Sequence, residues 1–148
     1  MTRLARLCGL ALDARAATKS SDPVQLAIAA RWIARNLLAI RGIRIGVEGV
    51  IPVGARVLGV RVASLNDMLA AIAAVPALID ATTVPLRWRL ALRALGLPIL
   101  DRPAPLALAA GASVVVYVSP HATTALHVDT DSSGYRVRVA NAQCKLAA

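Results

Sequence analysis

The feature that most constrains the fold is an alternation of short β-branched runs with helical patterns from Ile43 onward. The apolar runs are "IRIGVEG", "ARVLGVRV", "ALIDA", "LPILD" and "SVVVYV", and the last contains almost no polar residue. Segments with helix signals lie between them: Ser64 to about Ala74, Thr83 or Pro85 to Gly96, and "PAPLALAAG" ending at Gly111. Strands that alternate with helices predict an α/β domain whose sheet is flanked by helices on both faces.

Two helical segments precede this alternation and a hairpin follows it. The first segment has an apolar stripe at helical spacing, made of Leu4, Leu7, Cys8, Ala11 and Leu12. Asp22 and Pro23 form a helix start, and the helix that they begin continues to Ile40. The tail alternates apolar and polar residues around "DTDSSG", as the two strands of a hairpin do. We therefore expect an amphipathic N-terminal segment (1–22) and a single domain (23–148) that ends in a β-hairpin.

The composition is both apolar and basic. Hydrophobic residues make up 57% of the chain, its mean hydropathy is +0.63, and its net charge of +9 comes almost entirely from arginine. Arginine presents a planar, permanently charged fork that suits phosphate, which indicates an anionic partner. An Ala- and Arg-rich genome would produce the same bias. Aromatic residues for base stacking amount to only 3%, so an anionic membrane surface or a phospholipid is expected rather than nucleic acid.

Three helical features fit a membrane surface and equally fit an ordinary folded domain. The first helix carries Arg3 and Arg6 beside its apolar stripe, so it can lie on a membrane or pack on its own domain. Trp32 beside Arg31 and Arg35 fits the membrane–water interface of a bilayer, although an amphipathic core helix shows the same pattern. The densest basic group fits an anionic surface or a solvated helix face, and consists of Arg87, Trp88, Arg89 and Arg93.

The sequence lacks the patterns of a metal site, a disulfide framework and a membrane span. Cys8 and Cys144 lie far apart with no second ligand at metal-binding spacing, so we expect free thiols, a reducing compartment, no metal and no cofactor. The longest apolar run, Met68 to Ile79, is too short for a span and contains Pro76. The amino terminus does not have the pattern of a secretory signal. The expected location is the cytoplasm, peripheral on the inner face of the membrane.

Four motifs, taken in order, resemble the 1-acylglycerol-3-phosphate acyltransferase family of glycerolipid synthesis. They are "RWIARNLLAIRGIRIGVEGVIPVGARVLGV", "RVASLNDMLA", "LGLPILDRP" and "AGASVVVYVSPHATT". The resemblance covers Pro23 to Thr124 and implies a glycerolipid-acyltransferase-like fold. It also implies the family's reaction, in which an acyl chain passes from acyl-CoA or acyl-carrier protein to a lysophospholipid hydroxyl.

The match to the family's catalytic block is incomplete. "RVASLNDMLA" falls where the family carries Asn-His-x-Ser-x-x-Asp, with Ser64 and Asp67 in register and Val62 in place of the histidine. In the family, that histidine is the general base on the acceptor hydroxyl and the aspartate orients it. Valine accepts no proton, so a rate contribution of about 10²- to 10⁴-fold is expected to be missing. The resemblance therefore implies a vestigial orienter at Asp67 in an inactive or impaired enzyme.

The resemblance also supplies candidate substrate-binding residues. They are Ser64, Arg102, Thr123 and Thr124. It assigns Arg102 to the phosphate of the acceptor. In the third motif, His121 and Ala122 replace the family's Glu and Gly, and His121 becomes an alternative base if it approaches Asp67. The family's later strand has no counterpart, so we expect a C-terminally shortened member.

Three functions remain open at the level of sequence. The first is an acyltransferase-like protein of phospholipid metabolism with impaired or absent activity. The second is a non-catalytic membrane- or lipid-binding partner protein that keeps the scaffold without the reaction. The third is a basic nucleic-acid-binding protein, for which the sequence contains no recognised motif.

Overall fold

The computed structural model describes residues 2–19, 22–51, 54–100, 104–117, 124–131 and 134–141. The helices are α1 (Arg3–Ala17), α2 (Pro23–Ile40), α3 (Leu65–Ala74), α4 (Leu86–Ala94) and α5 (Ala104–Ala109). The strands are β1 (Arg44–Glu48), β2 (Val57–Val60), β3 (Leu78–Asp80), β4 (Ile99–Leu100), β5 (Val114–Tyr117), β6 (Thr124–Asp131) and β7 (Gly134–Asn141). The predicted α/β class is confirmed, with one mixed sheet of seven strands.

The order of strands in the sheet is β1-β7-β6-β2-β5-β3-β4. All neighbouring strands are parallel except β6 and β7, which form the predicted antiparallel hairpin. Strands β2 to β6 therefore share one direction, and β1 and β7 run the opposite way. We call the edge where β2 to β6 end the carboxyl edge. Because of the reversal, β1 and β7 begin at this same edge.

The sheet is covered by helices on one face throughout and on the other face only in part. On the first face, Leu58, Val115 and Val137 are buried in a large core with residues of α2 and α3. On the second face, Val114 and Val116 pack with Ala107 of α5 and Ala27 of α2. The second face of β1, β7 and β6 instead carries exposed charged residues: Arg44, Glu48, Asp129, Arg136 and Arg138. The expectation of helices on both faces therefore holds for β2, β5, β3 and β4 and fails for β1, β7 and β6, whose alternating polar residues remain solvated.

The N-terminal helix packs on the domain through a different face from the apolar stripe identified in the sequence. Leu10 and Ala14 are buried against the large core. The stripe residues Leu4, Leu7, Cys8, Ala11 and Leu12 are all exposed. Among them, Leu4 keeps 71% and Leu12 keeps 67% of its accessible surface. The helix thus packs on its own domain, while the predicted stripe faces solvent.

Two of the three predicted helix caps are present. The Asp22 carboxylate accepts a hydrogen bond from the Val24 amide at 3.1 Å, and Ser64 caps α3. Thr83 does not cap α4, because Pro85 occupies the capping position. The Thr83 hydroxyl instead donates to the Asp80 carbonyl at 2.9 Å and accepts from the Tyr117 amide at 3.1 Å, so it links the end of β3 to β5.

Candidate functional site

The candidate site lies at the carboxyl edge, where β2 leads into α3. Here the chain leaves the sheet at Val60 and passes through Val62 before Ser64 begins the helix. Open α/β sheets commonly bind ligands at this kind of edge, since loops converge there above the strand ends. The side chain of Val62 is only 6% exposed and belongs to the hydrophobic core. The position that the resemblance assigns to a general base is therefore apolar and turned into the core.

Ser64 and Asp67 hold the first turn of α3. The Ser64 hydroxyl accepts a hydrogen bond from the Asp67 amide at 3.3 Å. The Asp67 carboxylate reaches back and accepts one from the Ala63 amide at 3.2 Å. This reciprocal arrangement is close to a capping box, which satisfies amides that a helix start leaves free. Both residues that match the catalytic block thus have a structural role here.

Tyr135, at the start of β7, also contacts the Asp67 side chain. Its hydroxyl is hydrogen-bonded to the side chains of both Asp67 and Ser64. Burial raises the pKa of the Tyr135 phenol, and the Asp67 carboxylate raises it further by its charge and by accepting the hydrogen bond, while Ser64 and Arg41 act in the opposite direction. The phenol is consequently protonated at neutral pH, where it donates to Asp67 and does not act as a base.

Arg41 and Asn66 border the same group of side chains. One guanidinium nitrogen, Nη1 of Arg41, donates to Oδ1 of Asn66 at 2.5 Å, which joins the end of α2 to the start of α3. We call these five residues the carboxyl-edge cluster: Arg41, Ser64, Asn66, Asp67 and Tyr135. Sequence reasoning identified Ser64 and Asp67 in it and missed the other three. Tyr135 lies 68 positions beyond Asp67 in the chain, so only the sheet order could have brought it here.

The backbone at Val62 is also hydrogen-bonded to a tyrosine of β5. The Tyr117 hydroxyl donates to the Val62 carbonyl at 3.4 Å, and the Tyr117 ring packs edge-on against Trp88, with 5.6 Å between ring centroids and 74° between planes.

Trp88 is only 8% exposed. It therefore contributes to the core, and the basic group on α4 presents no tryptophan to an anionic surface. Arg87 and Arg93 remain exposed on that helix.

Arg31 and Arg35 bind the far end of α3. Their Nε atoms both donate to the Ala73 carbonyl, at 3.4 Å and 2.9 Å respectively. Burial lowers the pKa of Arg31, and the positive charge of Arg35 lowers it further. Cations at a helix C-terminus stabilise the helix through its dipole. These two arginines thus hold α3 in place at one end while Ser64 and Asp67 hold the other.

Of the remaining sequence candidates, only Thr124 lies within the described residues. His121, Arg102 and Thr123 lie outside the described residues, so their roles stay predictions. Thr124 begins β6, where its backbone pairs with Leu58 and Asn141. Within the described ranges, no group of His, Cys, Asp and Glu side chains is arranged to hold a metal ion, and no helix is long and apolar enough to cross a membrane.

The described part of the chain contains one histidine, His127 in β6, and it is not near the cluster. Leu126 faces the core that contains α3, so the next residue, His127, points to the opposite face of the sheet. Among the described side chains, the carboxyl-edge cluster therefore offers an anion, hydroxyls and a guanidinium, but no imidazole.

No protein-family model matches the chain, and neither a curated protein nor a solved structure matches it.

Proposed function

We propose that this chain is an acyltransferase-like protein of glycerolipid metabolism that does not transfer acyl groups and instead binds an anionic membrane surface. The observation that carries the first part is the state of the catalytic block. Val62 is buried in the core, and the Asp67 carboxylate accepts hydrogen bonds from Ala63 and Tyr135. A carboxylate satisfied in this way holds a helix start, and none of the described side chains gives it an imidazole to orient.

The exposed stripe on α1 supports the second part. An apolar helix face in water is costly, and its burial is worth about 25 cal/mol for each Å² removed from solvent. Arg3, Arg6 and Arg15 lie on the same helix and are exposed. Each arginine near an anionic bilayer contributes about 1 kcal/mol of attraction. On α2, Ile28 and Trp32 are also exposed, which adds an aromatic residue suited to the headgroup region.

Acyl transfer is tested with lysophosphatidate and a long-chain acyl thioester. We expect no turnover from the natural chain and measurable turnover from the double variant Val62→His/Tyr135→Phe, because it returns an imidazole to the position five residues before Asp67 and removes the phenol that occupies the carboxylate. The matched control is Val62→Asn/Tyr135→Phe, which adds polarity at the same buried position without a base. Circular dichroism establishes that both variants remain folded.

Each outcome of this assay bears on the proposal. Turnover by the natural chain would contradict the loss of activity and make His121 the first residue to substitute. A folded but silent Val62→His/Tyr135→Phe variant would contradict the acyltransferase-like interpretation. Turnover by Val62→Asn/Tyr135→Phe as well would show that the imidazole is not what the site lacked.

Membrane binding is tested by co-sedimentation with phosphatidylserine vesicles and with phosphatidylcholine vesicles. We expect binding only to the anionic vesicles, with a loss at high salt because the arginine contribution is screened. The double variant Leu4→Gln/Leu12→Gln is expected to lose binding. Leu106→Gln is the matched control, since Leu106 is an equally exposed leucine on α5. Equal binding by both variants would show that α1 is not the membrane-facing surface.

A further inference from the structure

Strand β1 is an open edge of the sheet. It is the terminal strand and pairs only with β7 among the described residues. Arg44, Gly46, Val47 and Glu48 are all exposed, so none of the described residues covers this strand. A strand edge leaves a row of backbone donors and acceptors free to pair with another strand. The opposite edge of the sheet, β4, has only two residues and offers much less.

The charge pattern of β1 is complementary to itself. The strand reads Arg-Ile-Gly-Val-Glu, with Gly46 at its centre. If a second copy pairs antiparallel about a two-fold axis at Gly46, Arg44 lies opposite Glu48 of that copy, and Glu48 lies opposite its Arg44. Opposite charges directly across a strand pair are stabilising. Parallel pairing in register would place arginine on arginine, which is unfavourable.

Both charged side chains are available for such pairing. Arg44 makes no salt bridge with any described residue. Glu48 contacts Arg136 through Oε1 at 3.3 Å, and about half of each of these side chains is exposed. The second carboxylate oxygen of Glu48 can therefore accept a guanidinium from another chain. The two ion pairs, one at each end of the strand interface, also favour this register of pairing over others.

The uncharged residues of β1 fit the same arrangement. Val47 is 37% exposed although it lies beside the fully buried Val137. In the two-fold pairing, Val47 lies opposite Ile45 of the second copy, which covers this surface. Gly46 lies at the axis. A Cβ there would meet only the Tyr135 carbonyl oxygen, at 4.0 Å, so packing within one copy does not require glycine. A residue without a side chain does allow two strands to meet closely at the axis.

We propose that the chain forms a two-fold symmetric dimer with a second copy through antiparallel pairing of β1. The interface is isologous, since the same five residues supply both sides. The two sheets become one continuous sheet, with the helices α2 and α3 of both copies on the same face. The dimer leaves the apolar stripe on α1 outside the pairing and is independent of any catalytic role.

The test is a charge exchange followed by sedimentation equilibrium across a range of protein concentrations. The natural chain is expected to be a dimer that dissociates on dilution. Arg44→Glu and Glu48→Arg each place like charges opposite one another, and each is expected to weaken dimerisation at least about tenfold. The double variant Arg44→Glu/Glu48→Arg restores opposite charges and is expected to recover the dimer.

Arg136→Gln is the matched control. It removes the salt bridge to Glu48 within one copy and leaves the edge residues unchanged, so the dimer should persist. Circular dichroism and thermal unfolding show whether each variant keeps its fold. Three results would overturn the proposal: a natural chain that is monomeric at all concentrations, single variants that dimerise as the natural chain does, and a double variant that stays as monomeric as the singles.

Discussion

The two halves of the sheet are built on different principles. In the parallel half, formed by β2, β5, β3 and β4, successive residues are buried on alternate faces, as with Val114 and Val115 in β5. In the hairpin half, formed by β1, β7 and β6, buried residues alternate with exposed charges, as with Val137 and Arg138 in β7. The parallel half therefore depends on burial on both faces, whereas the hairpin half needs it on only one.

The candidate site lies where these halves meet. Ser64 and Asp67 follow β2 of the parallel half, while Tyr135 begins β7 of the hairpin half. The Tyr135 hydroxyl donates to Asp67 and accepts from Ser64, and these hydrogen bonds join the two halves across the carboxyl edge. One of the contacts that occupy Asp67 thus comes from the hairpin half, and the other comes from the Ala63 amide. A catalytic role would require that half to release the carboxylate.

The largest expected difference between the halves is in the stability lost when a residue on the second face of the sheet is substituted. Val114→Lys places an unpaired ammonium where the side chain is fully buried, so we expect a loss of more than about 4 kcal/mol and an unfolded chain. Arg136→Gln changes a residue on the same face of the hairpin half, where about half of the side chain is exposed, and should cost at most about 1 kcal/mol. Urea unfolding of both variants measures the contrast, and similar losses would mean that the halves do not differ as described.

A second comparison concerns two glycines of the hairpin half. Gly134 has φ of 138°, and a Cβ there would collide with the backbone of Arg44. Gly134→Ala should therefore lower the free energy of unfolding by about 1 to 3 kcal/mol. Gly46→Ala is the matched control in the neighbouring strand, where there is room for a Cβ within one copy, and should be neutral or slightly stabilising at concentrations at which the chain is monomeric. Thermal unfolding distinguishes them, and an equal effect would show that the approach of β7 to β1 does not require glycine.

The sequence predicted the parallel half better than the hairpin half, for a physical reason. Local signals such as the Ser64 cap and the apolar run at Val114 depend on neighbours in the chain, so the strands and helices were found near their observed positions. The position of Tyr135 beside Asp67 depends on the order of strands, which local periodicity does not contain. The exposed stripe on α1 was also ambiguous, because alanine and leucine occur on several faces of that helix.

Substitution of Tyr135 tests the contact between the two halves, and its expected effect on the free energy of unfolding is smaller and depends on pH. Tyr135→Phe removes hydrogen bonds to Asp67 and Ser64 and should lower the free energy of unfolding by about 1 kcal/mol at neutral pH. The folded state raises the pKa of this phenol, so the folded chain keeps a proton that the unfolded chain releases above a pH of about 10. The contribution of Tyr135 is therefore complete below that pH and declines as the pH rises through the folded-state value.

Urea unfolding of the natural chain and of Tyr135→Phe over this pH range measures the effect. The difference in free energy of unfolding between the two proteins should narrow above a pH of about 10, since they differ only at position 135. Tyr117→Phe is the control, since that hydroxyl makes a hydrogen bond of similar kind to the Val62 carbonyl away from any carboxylate. A difference that stays constant with pH would contradict the contact between the Tyr135 phenol and Asp67.

The smallest effect is expected on the open face of the hairpin half. Asp129 contacts Arg138 at 2.9 Å, but slightly more than half of each side chain is exposed, so water and salt screen the pair. Asp129→Asn should cost less than about 1 kcal/mol, and the cost should vanish at high salt. Chemical unfolding at low and high salt measures this. A large, salt-independent loss would show that this face is buried by another part of the chain or by a second copy, which would remove the contrast between the halves.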